Sequence, residues 1–280
     1  MMFDAPAVLP ALLTPFDDDG EVDTAALRDH VGFVIEAGVQ GIMPCGTTGE
    51  TALLEPEETL SVVRTVVDAV AGRVPVIAHV GRPSTRATAR LIAAAIDAGA
   101  AGVSAIVPYY YAFGEREIVA HFRALLRAAG ETPLYAYSFP ARTGNAFSPE
   151  AFAALVADGL AGMKDSTSDD ALHEAYLAAG PGAEVFVGSP SHLLHALRAG
   201  SRGGVAALAN LRPELVLALA AAWRSGDDAE AERLQEEVRA TEQELNAGPP
   251  LVGLKAAVAE LMAERGERYP AALRSPLGTA

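Results

Sequence analysis

The chain has 280 residues, 50% of them hydrophobic and only 6% aromatic, a length that fits two average domains or one large α/β barrel. Its formal net charge of −15 argues against a nucleic-acid partner, because phosphate backbones need a basic surface. A single cysteine, Cys45, excludes an internal disulfide and a cysteine-rich metal site.

Short apolar strands alternate with amphipathic helices along the chain. Val8–Leu13 reads as a strand, and Asp17-Asp18-Asp19-Gly20 as a turn. Asp23 then caps a helix that runs to about Glu36 and stops at Gly38. Gln40–Met43 is the second strand, followed by Cys45-Gly46-Thr47-Thr48-Gly49-Glu50. Pro56 opens the next helix, with Glu57 and Glu58 at its positive end. Val74–Val80 is the third strand, and Ser84 caps a helix that ends at Ala98-Gly99. Gly102–Val107 is the fourth and leads into Pro108-Tyr109-Tyr110-Tyr111, with Glu115–Ala129 as its helix. Pro133–Tyr137 is the fifth. The run from Leu160 to Ser166 is the sixth, Glu184–Val187 the seventh and Gly203–Ala207 the eighth.

Eight such units imply parallel strands joined by right-handed crossovers, and so a (β/α)8 TIM barrel over residues 1–225. An open doubly wound sheet is disfavoured, since no G-x-G-x-x-G turn follows any predicted strand. Residues 226–280 form a short C-terminal helical extension expected to pack on the barrel. Asp228–Leu245 and Leu251–Arg265 are its helices, and Pro249-Pro250 breaks the chain between them.

Two lysines stand among many arginines, Lys164 and Lys255. Lys164 ends the sixth apolar run. An amine can lose its proton and attack a carbonyl, whereas a guanidinium cannot, so Lys164 is a candidate Schiff-base nucleophile. The plainer alternative is a strand-end lysine reaching solvent. In such barrels reactive groups sit at the C-terminal ends of the strands. There the sequence places Thr47 and Thr48 between glycines, which offers N–H and O–H donors to a small anion or makes an ordinary turn. Tyr109, Tyr110, Tyr111 and Tyr137 are proton-relay candidates or simply strand-end covers. Arg142 could grip a carboxylate with its planar fork or stand free at the surface. No histidine spacing suggests a metal site, although His79 sits suggestively at a strand end, and no metal is expected.

Taken in order, Gly46-Thr47-Thr48-Gly49-Glu50, Pro108-Tyr109-Tyr110, Tyr137-x-x-Pro140, Gly162-Met163-Lys164-Asp165 and Gly203-Gly204-Val205 with Asn210 resemble the family of dihydrodipicolinate synthase and N-acetylneuraminate lyase. That family also holds the 2-keto-3-deoxy sugar acid and 4-hydroxy-2-oxoglutarate aldolases. The resemblance runs from about Pro10 to Asn210. It implies that Lys164 forms an imine with pyruvate or a 2-oxo acid, and that Tyr137 moves protons. Thr47 and Tyr110 complete the relay, Tyr110 reaching in from a neighbouring subunit. Thr48 and nearby amides hold the pyruvate carboxylate, and Gly46, Arg142, Gly188 and Ala206 complete the substrate-binding set. No cofactor beyond the covalent imine is implied, because a protonated imine is itself the electron sink. A homotetramer built as a dimer of dimers is implied too.

Within the family the motifs divide. Arg142-Thr143-Gly144 looks like the synthase, whose matching arginine grips aspartate semialdehyde. Ser138 and Asp165-Ser166 depart from its usual asparagine and glutamate-alanine. Lys164-Asp165-Ser166 looks more like the aldolases, as do Gly188-Ser189 and the run from Gly203 to Asn210. The expectation is therefore a lyase that reversibly cleaves a 2-oxo acid to pyruvate and an aldehyde. Dihydrodipicolinate synthase is the alternative, and a non-catalytic 2-oxo acid-binding barrel the remote one. With no basic leader, no apolar run of bilayer length and no membrane partner in view, a cytoplasmic location is expected.

Overall fold

The computed structural model describes residues 1–249 and 251–278. Pro250, half of the expected break, lies outside the described residues. Seven parallel strands form one sheet: β1 (Ala7–Pro10), β2 (Ile77–His79), β3 (Gly102–Ile106), β4 (Leu134–Ser138), β5 (Gly162–Asp165), β6 (Glu184–Val187) and β7 (Gly203–Ala206). Their order is β1-β7-β6-β5-β4-β3-β2. Residues 40–44 close the ring between β1 and β2. Met43 N–H donates to Pro10 O at 3.0 Å and Leu12 N–H to Met43 O at 2.9 Å; on the other side Ile42 N–H donates to Pro75 O at 3.1 Å and Ile77 N–H to Ile42 O at 2.9 Å. The expected second strand survives only as isolated parallel bridges, Ala11 to Met43 and Ile42 to Val76. Pro10, Pro44 and Pro75 have no N–H to give, which interrupts the ladder on both sides.

The helices are α1 (Thr24–Glu36), α2 (Pro56–Val70), α3 (Thr85–Asp97), α4 (Glu115–Ala129), α5 (Pro140–Thr143), α6 (Pro149–Ala157), α7 (Asp170–Ala179), α8 (Leu193–Ala199), α9 (Pro213–Ser225), α10 (Asp228–Leu245) and α11 (Val252–Glu264). Their starts follow local chemistry. The Asp23, Ser84 and Ser148 side chains accept from backbone N–H groups of the first turn, and Glu55 and Glu58 form a reciprocal box that spans Pro56 at the start of α2. The loop expected after β4 contains one helical turn, α5, closed by Gly144 at φ 69°.

Strand alternation sorts the side chains into two cores. Leu134 and Ala136 of β4 and Met163 of β5 face the helices in the main apolar cluster, with Phe122, Phe152 and Leu125. Tyr135 of β4 turns inward and packs with Phe3, Leu9, Phe186 and Val205 to fill the barrel. Asn210 stitches the seam: its Oδ1 accepts from Leu13 N–H at 3.0 Å and its Nδ2 donates to Ala11 O at 2.8 Å. At the chain's end α10 packs Ala231, Leu234 and Val238 on Leu193, Leu197 and Leu219, while α11 packs Leu254, Val258 and Met262 on Leu13 and Ala26. Among the described residues no helix is long and apolar enough to cross a membrane.

Candidate active site

The period of two that turns Tyr135 into the barrel also turns Tyr137 inward, one layer closer to the strands' C-terminal ends. Parallel register pairs Tyr137 with Lys164 on the adjacent strand. Lys164 is only 5% exposed. Its Nζ lies 4.6 Å from the centroid of the Tyr137 ring. The Tyr137 hydroxyl lies 3.1 Å from Thr47 Oγ1, close enough for a hydrogen bond in which either can donate. Three elements thus converge: the turn after residues 40–44, the end of β4 and the end of β5.

The walls are tight. A Cβ at Gly188 would overlap Ser166 Oγ and come within 3.0 Å of Lys164 Cε, so only glycine leaves the lysine its place. His79 on β2 meets Tyr137 edge-on, with ring centroids 5.6 Å apart. Burial, helped by the Arg82 and Lys164 charges, pushes the His79 pKa down to about 3, so it stands as a neutral wall. The Cys45 thiol is buried too, and burial raises its pKa to about 12, which makes it a poor nucleophile.

Beyond Thr47 a cavity of about 370 Å³ opens, lined by Thr47, Thr51, Ile106, Tyr109 and Arg142, and by Asn246, Leu251 and Leu277 from the C-terminal extension. Most of its polar groups are already committed. Thr51 Oγ1 accepts from Arg82, Thr143 Oγ1 donates to Asn145 O at 2.7 Å, and Asn246 Nδ2 donates to Glu242 O. The Arg142 guanidinium rests 5.9 Å from the Phe139 ring centroid. A larger hollow of about 560 Å³ lies at the opposite end of the barrel by Met1, Tyr135 and Glu184. Its carboxylate is fully engaged, by the Met2 and Phe3 N–H groups and by the Tyr135 hydroxyl.

Residues 4–280 match the model of the dihydrodipicolinate synthetase family. The chain belongs to that family. It is 41% identical to an uncharacterised DapA-like lyase of Halobacterium salinarum, over 96% of this chain and 87% of that protein. It is 36% identical to a 4-hydroxy-tetrahydrodipicolinate synthase of Methanopyrus kandleri, over 92% of this chain and 87% of the relative. Among solved structures, a prophage protein of the dihydrodipicolinic acid synthase family from Escherichia coli, in complex with pyruvate, superposes with a TM-score of 0.89 at 27% identity, covering 96% of this chain and 91% of the other. The chain is accordingly a family lyase/aldolase, and its curled parallel sheet with outer helices matches the family's TIM-barrel neighbours.

Against the family motifs, the structure brings Lys164, Tyr137 and Thr47 together, with Gly188 beside the lysine. Thr48 and Gly46 are buried in the same turn as Thr47, and Ala206 is buried at the end of β7. Arg142 lies on the outer cavity rather than at the lysine. Tyr110 is not part of the cluster within this chain. It is 85% exposed at φ 81°, stacked edge-on with the exposed Tyr111 at 5.0 Å. His192 and His195 do have carboxylate neighbours in space, since Asp170 and Glu174 of α7 lie 2.8 Å and 2.9 Å from them. Even so, no group of three such side chains among the described residues could hold a metal ion.

Two features escaped the sequence reading. Asp165, next to the lysine, points outward and pairs with the buried His173 of α7 at 2.9 Å. Lys255 and Glu50 form a fully buried ion pair at 2.7 Å. The signal for the second was present: Lys255 shares one face of α11 with the apolar Val258 and Met262, at i+3 and i+7.

Proposed function

We propose that this enzyme forms an imine between Lys164 and the carbonyl carbon of pyruvate or a 2-oxo acid, with Tyr137 and Thr47 moving the protons. The observation that carries this reading is the Lys164–Tyr137–Thr47 cluster, an amine 4.6 Å from the tyrosine ring and a 3.1 Å hydroxyl contact behind it. The amine adds to the carbonyl, water leaves, and the protonated imine withdraws electrons from the neighbouring carbon. That carbon can then break its bond to an aldehyde or form a new one. Tyr137 delivers and collects the proton, and Thr47 passes it on towards the cavity. Thr48 and the amides around Gly46 bind the carboxylate, with Gly188 and Ala206 as walls. No metal or other cofactor enters the scheme.

Tyr110 completes the relay from a neighbouring copy in a homotetramer. Its exposure and left-handed backbone, an unusual conformation for a bulky residue, support a role outside its own subunit. Residues 1–225 serve as the catalytic barrel and 226–280 as an extension packed on it, in a cytoplasmic protein.

The reaction is the reversible cleavage of a 2-oxo acid, of the 2-keto-3-deoxy sugar acid or 4-hydroxy-2-oxoglutarate type, to pyruvate and an aldehyde. Condensation of pyruvate with aspartate semialdehyde is the second reading. It is favoured by Arg142 on the outer cavity, where the guanidinium can meet a far carboxylate. A panel of these 2-oxo acids with pyruvate detection, run beside a condensation assay with aspartate semialdehyde, decides between them. Pyruvate release from one of the 2-oxo acids supports cleavage. Turnover confined to aspartate semialdehyde supports the synthase, and no turnover on any of them refutes both.

A further inference from the structure

Glu50 closes the turn that carries Thr47, yet it takes no part in the chemistry above. Its carboxylate is fully buried. It accepts from Lys255 Nζ of α11 at 2.7 Å and from the backbone N–H of Arg274 at 2.9 Å. Lys255 is equally buried, with Nζ 4.4 Å from the Phe16 ring centroid. The Arg274 side chain fastens the same tail from the other side, donating to Leu53 O at 3.1 Å and to Glu58, and bonding to Gly20 O. Two separate pieces of the C-terminal extension therefore end on one carboxylate.

That carboxylate is coupled to the site through a few backbone bonds. Glu50 sits at φ 60°, a left-handed conformation that a non-glycine residue holds only when its surroundings fix it. Its N–H donates to Thr47 O, and the N–H of Thr51 donates to Gly46 O, both at 3.1 Å. Thr47 is thus tied into the turn by its carbonyl and reaches Tyr137 with its hydroxyl. A buried ion pair is a weak source of net stability compared with apolar packing, but losing one partner leaves an uncompensated charge that must move or be rehydrated. Such a movement at Glu50 would release Thr47 from Tyr137.

We propose that Lys255, directly on Glu50, and the Arg274 side chain, by fastening the tail whose backbone N–H meets Glu50, are positioning residues that set the Thr47 hydroxyl against Tyr137, so that the C-terminal extension holds the proton relay in register. This rests on the Schiff-base reading, and the test separates the two. Pyruvate alone is the probe. Borohydride trapping reports imine formation at Lys164. Exchange of the pyruvate methyl protons in D2O, followed by NMR, reports the relay. In that exchange the imine's methyl group loses a proton to the relay, becomes an enamine and takes back a deuteron.

Lys255→Met and Arg274→Leu are each expected to trap pyruvate to the wild-type extent at saturation while exchanging at least about fivefold more slowly per trapped site, the scale of a small misplacement at a reacting centre. A loss of that size in either folded variant supports the proposal. A smaller loss in both overturns it, and a lowered Tm with unchanged exchange would show these residues to be purely structural. Arg274 is partly exposed, so Arg274→Leu decides alone should Lys255→Met fail to fold. A wild-type protein that traps no pyruvate would instead remove the Schiff-base reading itself.

Discussion

Gly188→Ala is the smallest change that tests how tightly the nucleophile is confined. The added Cβ would overlap Ser166 Oγ and lie 3.0 Å from both Asp165 O and Lys164 Cε. The serine hydroxyl can rotate aside. The Asp165 carbonyl cannot, because it accepts from Gly188 N–H at 2.6 Å and belongs to β5. The lysine side chain must therefore yield. Overpacking of this kind costs about 1–3 kcal/mol. At roughly 2–4 °C per kcal/mol for a chain of this size, Tm should fall by about 2–12 °C. A displacement of Lys164 approaching 1 Å should slow imine formation by about 10²-fold. The assay is the rate at which pyruvate becomes trappable by borohydride, read by mass spectrometry at a temperature where the variant is folded. Trapping at the wild-type rate would refute the idea that Gly188 shapes the position of the nucleophile.

Tyr137→Phe removes one hydroxyl and keeps the ring packed on His79. It should lower kcat by about 10²–10⁴-fold while the borohydride adduct still forms, and a wild-type rate would reduce Tyr137 to a wall. Arg142→Ala should weaken turnover of substrates with a far carboxylate, 4-hydroxy-2-oxoglutarate or aspartate semialdehyde, by about ten- to hundredfold in kcat/KM, with little change on 2-keto-3-deoxygluconate; equal effects would mean that it props the loop. Burial also depresses the pKa values of His30 and His121 to about 4 and of His79 to about 3. The unfolded chain then binds protons from about pH 6.5 downward while the folded one does not, so stability present above that pH is lost as pH falls towards 4. Each histidine should cost on the order of 2 kcal/mol by pH 5, checked by urea unfolding at pH 7 and pH 5. A flat profile would contradict the burial of these rings.

Much of this was legible in the sequence, because the signals were local. Helix boundaries at Asp23, Ser84 and Pro56 depend on local chemistry, two side chains that cap their own first turns and a proline at the first helical position, and the expected span Asp228–Leu245 is the observed one. Lys164 and Tyr137 were visible as polar residues ending apolar runs. The segment 40–44 was legible as extended chain but not as an interrupted ladder, since the prolines that interrupt it lie on its neighbours as well as within it. The Glu50–Lys255 pair joins residues 205 positions apart, and the Asp165–His173 pair crosses from the sheet to a helix. Such pairings depend on how α11 and α7 dock, which no local pattern states. The exposure of Tyr110 was implied by the family resemblance alone, because strand-end tyrosines otherwise read alike whether they face their own site or solvent.

The measurement that bears most directly on the central claim is the site of borohydride labelling by pyruvate. Reduction in the presence of pyruvate should add one stable mass to the peptide containing Met163-Lys164-Asp165, and Lys164→Arg should abolish both label and turnover while keeping the charge. A label on Lys255, or none on either lysine, would contradict the account.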